Sequence, residues 1–457
     1  MNTFHEPARE TPIVEDCDVC VAGGSCTGVF AAVRAARLGA RVALVENNGF
    51  FGGVATAGLV NVWHSFYDTT GETQIIAGLT EEITHTLISR NAAVLNDPKN
   101  ESVYLRFNAA ELVLALDALV AGHPNIRPFL HTRVVGVGMG SPQNANVIMI
   151  ENASGRQAIR GKVFIDATGN ADLLHFAGAP LHHYPTRLPP TLCALYSGLQ
   201  TAREKNPAFI PDRIVLDPEN PKALKGFLWG CDIPGLRDTT MIAGTRVNNV
   251  DTCDADQLTF AEFEGRRQVR QSLELLNNHP GGGHIRLAGL PARIGVRDTR
   301  HAHCLHRYTE RELLEGMCFP DTIAHGSYRV DTHFDNQPGL VFRYLDGREH
   351  ICNPPLPGIH RRWREERETN PTYYNIPFRS LVPQNFENVL VVGRAVDADC
   401  GAFSAVRAMV NLNQIGEAAG VAAALAVEAG ASVAAVDVKN LQNTLRKGGS
   451  ALRQNAS

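Results

Sequence analysis

The stretch DCDVCVAGGSCTGVFAAVRAARLGARVALVEN, residues 16–47, decides the fold. Within it, DVCVAG is a short valine-bearing apolar run bounded by an aspartate and by glycines, the pattern of a buried strand. TGVFAAVRAARLGA then spaces its apolar residues as a helix and stops at Gly39. RVALVE reads as a second buried strand ending at Glu46. Strand, glycine turn, helix and strand, with an acid about 20 residues beyond the turn, form the arrangement that binds a dinucleotide.

The turn departs from G-x-G-x-x-G. It offers Gly23, Gly24 and Gly28, and Ser25 holds the middle glycine position. Gly23 makes the tight turn, and Gly28 lets the helix lie against the strand. A serine in the middle adds one Cβ and a hydroxyl that can donate to a phosphate oxygen, while the helix N-terminus still presents free N–H groups. Ser25 is therefore tolerated. Glu46 can accept from both ribose hydroxyls and would repel a 2′-phosphate. An αβ unit without a nucleotide is the alternative reading. Cys17 and Cys20 spell C-x-x-C, but residues i and i+3 of a strand point to opposite faces, so two separate buried thiols are expected.

The remaining bulk properties narrow the class. A chain of 457 residues predicts two or three structural units. A formal net charge of −4 supplies no basic patch, which argues against nucleic acid as a partner. No run approaches the roughly 18 consecutive apolar residues of a membrane span. The first 15 residues carry no apolar core or twin arginine and read as a flexible lead-in. Ten cysteines follow no regular framework. Reduced thiols and a cytoplasmic location are the expectation.

Three further segments sharpen the reading. NNGFFGGVATAGLVN (47–61) is a second glycine-rich loop directly after Glu46, which suits a ligand longer than a simple nucleotide. HTRVVGVGMG and NANVIMIENASGRQAIRGKVFIDATGNAD read as hairpins ending in the buried strand VFIDATG. ENVLVVGRAVDADCGAFSAVRAMVNLNQIGEAAGVAAALAVEAG gives a strand ending at Gly393–Arg394, a short loop and a long helix of small residues.

In this order the four segments resemble the FAD-dependent oxidoreductases of the glutathione-reductase-like flavoproteins, relatives of the fumarate reductase and succinate dehydrogenase flavoprotein subunits. The resemblance covers 16–60, 106–180, 286–335 and 373–430 and is thin between 185 and 285. It implies an α/β fold: a Rossmann-like FAD-binding domain, three-layered with a mostly parallel sheet, carrying an inserted α+β substrate or cap domain. The expected divisions are 16–184 and 371–432 for FAD, 185–370 for the cap, and 433–457 for a C-terminal tail. The resemblance also implies site residues. Gly23, Gly24, Ser25, Thr27 and Gly28 would hold the pyrophosphate, and Glu46 with Asn47 the adenosine ribose end. Gly52, Gly53, Ala55 and Thr56 would pass under the phosphates, and Val134 would lie by the adenine. Ala167, Thr168 and Gly169 would close over the nucleotide, with Gly393 and Arg394 at the ribityl region. Relatives often carry an aspartate where Arg394 stands, which puts the ribityl contact in doubt. A helix starting near Phe403 would aim its positive N-terminal end at the flavin pyrimidine edge.

The cap's most chemical segment is RIGVRDTRHAHCLHRYTERELLEG, 293–316. Arg297 and Arg300 suit a carboxylate clamp, and His301, His303 or His306 a proton acceptor. A solvated charged segment is the bland alternative. Zinc on His301, His303, Cys304 and His306 fits no standard spacing, so no metal is expected. Cys400 stands where relatives often carry a histidine and is weighed as a redox or substrate-contacting thiol against a packed residue at a helix start. His64 is weighed as a flavin link against a structural role. The expectation is a noncovalent FAD enzyme passing a hydride between a small polar or anionic substrate and flavin N5. An isomerase or lyase without net redox change and a nonenzymatic FAD-binding protein are the rivals. No second nicotinamide fingerprint is evident, which leaves oxygen, a quinone or a protein as electron acceptor. The size permits a homodimer without requiring it.

Overall fold

The computed structural model describes residues 3–99, 103–185, 187–334, 339–354 and 356–453. The chain opens with β1 (Ile13–Ala22), α1 (Cys26–Arg37) and β2 (Val42–Val45). Strand β1 begins within the expected lead-in, and Pro12 O accepts from Ala158 N at 2.8 Å. The helix ends as its sequence predicts, with Gly39 just beyond at φ 92°. Next come β3 (Ile126–Phe129) and the meander β4 (Arg133–Ser141), β5 (Asn144–Asn152) and β6 (Gly155–Asp166). Strands β2 and β6 flank β1 and run parallel to it, whereas β4, β5 and β6 pair antiparallel.

One sequence expectation fails here. Cys17 and Cys20 do not point apart: both pack in the same apolar cluster, and the nearby Cys17 thiol leads burial in pushing the Cys20 thiol upward. The amides of Asp18 and Val19 both converge on Arg41 O, at 2.9 and 3.1 Å. The two amides share that one acceptor where the pairing with β2 begins, and the two cysteines lie on either side of it. Both thiols remain free.

The middle of the chain builds two four-stranded antiparallel sheets. The first joins β7 (Ala194–Ser197), β8 (Trp229–Asp232), β9 (Thr239–Ala243) and β10 (Arg286–Gly289) in the order β8-β9-β7-β10. Helix α2 (Ala255–Asn278), capped by Asp254, packs Leu273 and Leu276 into the cluster holding Tyr196 of β7. The second joins β11 (Val330–His333), β12 (Leu340–Arg343), β13 (Arg348–Cys352) and β14 (Ile359–Arg362) in sequence.

Strand β15 (Val389–Val391) then returns to the first sheet, parallel to β6. That sheet runs β3-β2-β1-β6-β5-β4, with β15 beside the C-terminal half of β6. The result is α/β, with a parallel-rich nucleotide-type sheet interrupted by largely antiparallel structure. The C-terminal segment is two helices, α3 (Cys400–Val406) and α4 (Met409–Ala429), where one beginning near Phe403 is expected from sequence. Ala408 is extended, at φ −56° and ψ 129°, and breaks the run.

Helix α4 lies against α1 at backbone distance. A Cβ on Gly416 would sit 2.2 Å from Thr27 O, and one on Gly420 2.1 Å from Ala31 O. At this seam Glu417 meets Arg34, with Oε2 and Nε 3.3 Å apart and both side chains at most 5% exposed. Arg34 also donates to Leu445 O and the Ser450 hydroxyl, tying down α5 (Val438–Lys447). The expected tail is thus a docked helix; its last four residues, 454–457, like residues 1–2 of the lead-in, lie outside the described residues.

Burial outweighs the attraction of Arg34 and raises the Glu417 carboxyl from 4.5 to about 7. The folded state therefore binds more protons than the unfolded chain between these values, and stability falls as pH rises through that window. Glu417→Gln is expected to remove this slope while keeping an acceptor for Leu79 N. Urea midpoints at pH 5, 6 and 7 check it; an unchanged slope in the variant overturns the assignment.

Candidate functional site

A cleft of roughly 650 Å³ runs from the glycine turn to the second antiparallel sheet. Its first wall is backbone. Gly23 sits at φ +112°, and a Cβ there would lie 2.2 Å from Ala167 O. A Cβ on Gly28 would lie 1.9 Å from Gly23 O, so α1 begins directly under the turn. Ser25 caps that helix, its hydroxyl accepting from Gly28 N at 3.4 Å. The second glycine loop stacks on the first: Gly52 N donates to Gly24 O at 2.9 Å, and Ser25 bridges Gly52. Glu46 Oε2 accepts from Gly24 N at 2.7 Å and Oε1 from Asn48 N at 2.8 Å.

Most of the residues expected to hold the nucleotide reach this cleft. Gly23, Ser25, Thr27, Glu46 and Asn47 line it, as do Gly52, Gly53 and Val134. Ala167, Thr168 and Gly169 line it from the end of β6, and Gly393 and Arg394 from the end of β15. Four others shape the wall from behind. A Cβ on Gly24 would strike Phe51 and Glu46, and Gly28 supports the turn. Ala55 is fully buried, and Thr56 donates to Phe51 O at 2.7 Å.

The second wall carries charge. Arg246 of the first antiparallel sheet's margin, Arg297, Arg329 and Arg407 all line it, together with Asp331 and His333 of β11. Arg246 is 8% exposed and His333 5%. Arg407 reaches the cleft because the helix breaks after it, and it donates to Asp331 O and Oδ2 at 3.1 and 3.3 Å. Burial pulls Arg246 down to about 10, and burial with Arg246 and Arg407 pulls Arg297 well down too. Burial alone would raise Asp331, but His333 and the surrounding arginines hold its carboxyl well below the usual range.

The histidine-rich segment reaches the cleft only at its start, through Arg293, Gly295, Val296 and Arg297, and none of its histidines does. His301 is fully buried and spends both ring nitrogens, Nε2 on Asp298 Oδ1 at 2.9 Å and Nδ1 on Val396 O at 3.3 Å. His303 packs on His182, ring centroids 4.8 Å apart, beside Asp397. His306 pairs with Glu312 of a capping box. Arg300 is 2.5 Å from Asp172. Cys400 opens α3 away from the cleft, its thiol pushed up to about 11 by burial. The expected proton acceptor and the second clamp arginine are thus corrected: ion pairs and core contacts absorb these side chains. The zinc set is not assembled either; His182, His303 and Asp397 draw together, but Arg307 stands 3.9 Å from the same carboxylate. His64 does line the cleft, stacked on Tyr328 at 4.0 Å.

Sequence reasoning missed Arg246, Arg329, Arg407, Asp331 and His333. One signal was available: VDTH at period 2 sets Asp331 and His333 on a single strand face.

The residues fit a dinucleotide carrying a second ring system. Arg394 is held over Gly169, within 2.8 Å of where a Cβ would stand, and its buried Nε has no hydrogen-bond partner. Arg293 adds a second cation there. Asn413, in the first turns of α4, is 1% exposed with both amide atoms unpartnered. A diphosphate beside Arg394 and a polar ring edge beside Asn413 would satisfy them.

Comparison with known proteins agrees with this chemistry. Residues 18–445 match the family described as FAD dependent oxidoreductase. No curated protein matches the chain. Among solved structures, a geranylgeranyl bacteriochlorophyll reductase-like protein of Thermoplasma acidophilum is similar over 95% of this chain and 84% of that chain, at 13% identity and TM-score 0.46. The p-nitrophenol 4-monooxygenase PnpA of Pseudomonas putida is similar over 95% and 84%, at 11% and 0.43. PqsL of P. aeruginosa is similar over 95% and 92%, at 11% and 0.43. No helix among the described residues is long and apolar enough to cross a membrane.

Gly23→Ala is expected to strain the turn by about 1–3 kcal/mol and weaken FAD retention by about tenfold to a hundredfold. The visible flavin absorbance per chain after dialysis checks it; full FAD content in the variant refutes the assigned turn.

Proposed function

This chain belongs to the FAD-dependent oxidoreductase family, and from that premise we propose that it passes a hydride between a small anionic substrate and flavin N5. The observation that carries the reading is the division of the cleft into a backbone wall and an arginine wall. Arg246, Arg297 and Arg407 line the space beyond the nucleotide turn, with Asp331 among them. A buried excess of positive charge is costly unless an anion enters.

When bound, FAD supplies a two-electron acceptor at N5. The chain's own residues do the rest. Gly23, Ser25 and the first turn of α1 would hold the diphosphate through backbone N–H groups, with Arg394 as counter-charge. Glu46 would accept from ribose hydroxyls. Arg297 and Arg246 would hold the substrate's anionic group, each already anchored through Thr191. A guanidinium fixed by its own hydrogen bonds loses little freedom when it binds. Helix α4, whose N-terminal residues Met409, Leu412 and Asn413 line the cleft, would set its positive end toward negative charge developing on the cofactor. The kinship with the glutathione-reductase-like flavoproteins belongs to this proposal and rests on the four segments in their order.

Anaerobic mixing of the holoprotein with a panel of small carboxylates is the test. Loss of visible flavin absorbance with an anionic compound, and none with its amide, is the expected outcome. Bleaching only by uncharged compounds would overturn the anionic reading. Turnover without any bleaching would favour chemistry with no net redox change.

A further inference from the structure

We propose that His182, His303 and Asp397 hold a divalent transition-metal cation of the zinc class, which ties three distant segments of the chain together outside the cleft.

Strand pairing builds the site. The two-residue strands Leu181–His182 and His301–Ala302 run antiparallel, with His182 opposite His301. Residues two apart on a strand share a face. His301 and His303 accordingly flank His182, with ring centroids 5.4 and 4.8 Å from its own. His301 is spent on Asp298 and Val396 O. The His303 ring, by contrast, makes no hydrogen bond among the described residues. Its backbone is fixed, because His303 O accepts from Gln384 N at 2.8 Å. Asp397 enters from the loop between β15 and α3 and is 2% exposed. Its Oδ2 accepts from Cys304 N at 2.8 Å, which leaves Oδ1 facing His182 Nε2 at 3.2 Å.

The spacing suits a small, tightly held cation. One ligand atom from each of the three residues lies within 4.8 Å of the other two, a grouping found once among the described residues. Zinc bonds of about 2.0–2.2 Å in a tetrahedron set ligand atoms about 3.3–3.6 Å apart. The His182–Asp397 edge is already close to that length, and the ion would take the place of the proton this pair shares. His303 completes the set by moving its ring at most about 1.5 Å, which breaks no hydrogen bond. Two imidazoles with one carboxylate favour zinc and its transition-metal neighbours over magnesium or calcium, which take oxygen ligands. His182 and His303 are half-buried, so water can reach the fourth position.

Arg307 does not fill this site. Its Nε stands 3.9 Å from Asp397 Oδ1, beyond hydrogen-bonding distance, and its side chain is 49% exposed and can swing into solvent. Asp298, a further charge close by, is already paired with His301. A rival cluster sits on the second antiparallel sheet, where His350 and His360 stack 4.0 Å apart at 13° beside the Cys352 thiol. Imidazole lone pairs lie in the ring plane, so two parallel stacked rings aim their nitrogens along parallel lines. They do not converge as a tetrahedral ion requires.

The ion would join residue 182, residue 303 and residue 397. Asp397 stands between Arg394 and Arg407, and both of these line the cleft. The tie would therefore anchor the segment that delivers them. The three ligands themselves do not line the cleft, so the site is independent of the hydride reading.

Calorimetric titration of zinc chloride into the FAD-bound protein, stripped with a chelator and dialysed, is the test. Wild type is expected to take up a single zinc per chain at this site and to bind neither magnesium nor calcium there. His303→Ala is expected to weaken zinc more than about 100-fold and Asp397→Asn at least about tenfold, since even a group that only supports a ligand is worth about 10–100-fold. His360→Ala is expected to leave the affinity unchanged. Flavin absorbance per chain shows that each variant is folded. Saturating zinc is also expected to raise the wild-type melting midpoint by about 2–4 °C, a readout that needs no variant. A wild type that binds no zinc, or whose melting zinc leaves unchanged, overturns the site. Wild-type affinity in both His303→Ala and Asp397→Asn overturns it too, as does loss of zinc in His360→Ala with retention in His303→Ala.

Discussion

The structure depends on one approach of backbone to backbone. Gly23 O lies where a Cβ of Gly28 would be, and Ala167 O lies where a Cβ of Gly23 would be. The glycine turn with the start of α1 and the distant end of β6 meet there without a side chain between them. Strands β1 and β6 can then run side by side into the turn, and α1 can start at the strand end with its free N–H groups directed into the cleft. A methyl group at either glycine would push these backbones apart by more than any side-chain rotation could absorb.

The same economy of atoms is repeated on the other side of α1. Gly416 and Gly420 lie one helical turn apart, and each rests on a carbonyl of α1. The long C-terminal helix is thereby registered against the nucleotide turn. That register brings Met409 and Asn413 to the cleft, and the break at Ala408 swings Arg407 onto Asp331. The phosphate turn and the charged wall are thus linked through a single packed helix. The cation that steadies Asp331 is placed by the helix that closes on the glycine turn.

Much of the first wall was legible in sequence because it is written in local rules. Glycine at Gly23 and Gly28, an acid at Glu46 and a small-residue helix each follow from short-range geometry. Their order along the chain carried the family. The second wall was not legible, because it is written in tertiary contacts. Arg246, Arg297, Arg329 and Arg407 come from four separate places, and no spacing between them holds information. The shared cluster of Cys17 and Cys20 was hidden for a similar reason: between them the amides of Asp18 and Val19 both turn to Arg41 O, just before the neighbouring strand, which the alternation of β1 alone does not reveal.

The segment 293–316 shows why density of chemical residues is a poor guide to a site. It is dense in histidine and arginine, yet only Arg293 and Arg297 of these line the cleft. A buried histidine must satisfy two ring nitrogens, and His301 does so with Asp298 and Val396 O, which removes it from proton transfer. His333 differs in one respect. It lines the cleft, with Nε2 3.5 Å from Asp331 Oδ1 and no hydrogen bond joining the two. What separates the cleft histidine from the structural ones here is therefore position, and position is fixed by where the neighbouring strand and helix ends fall.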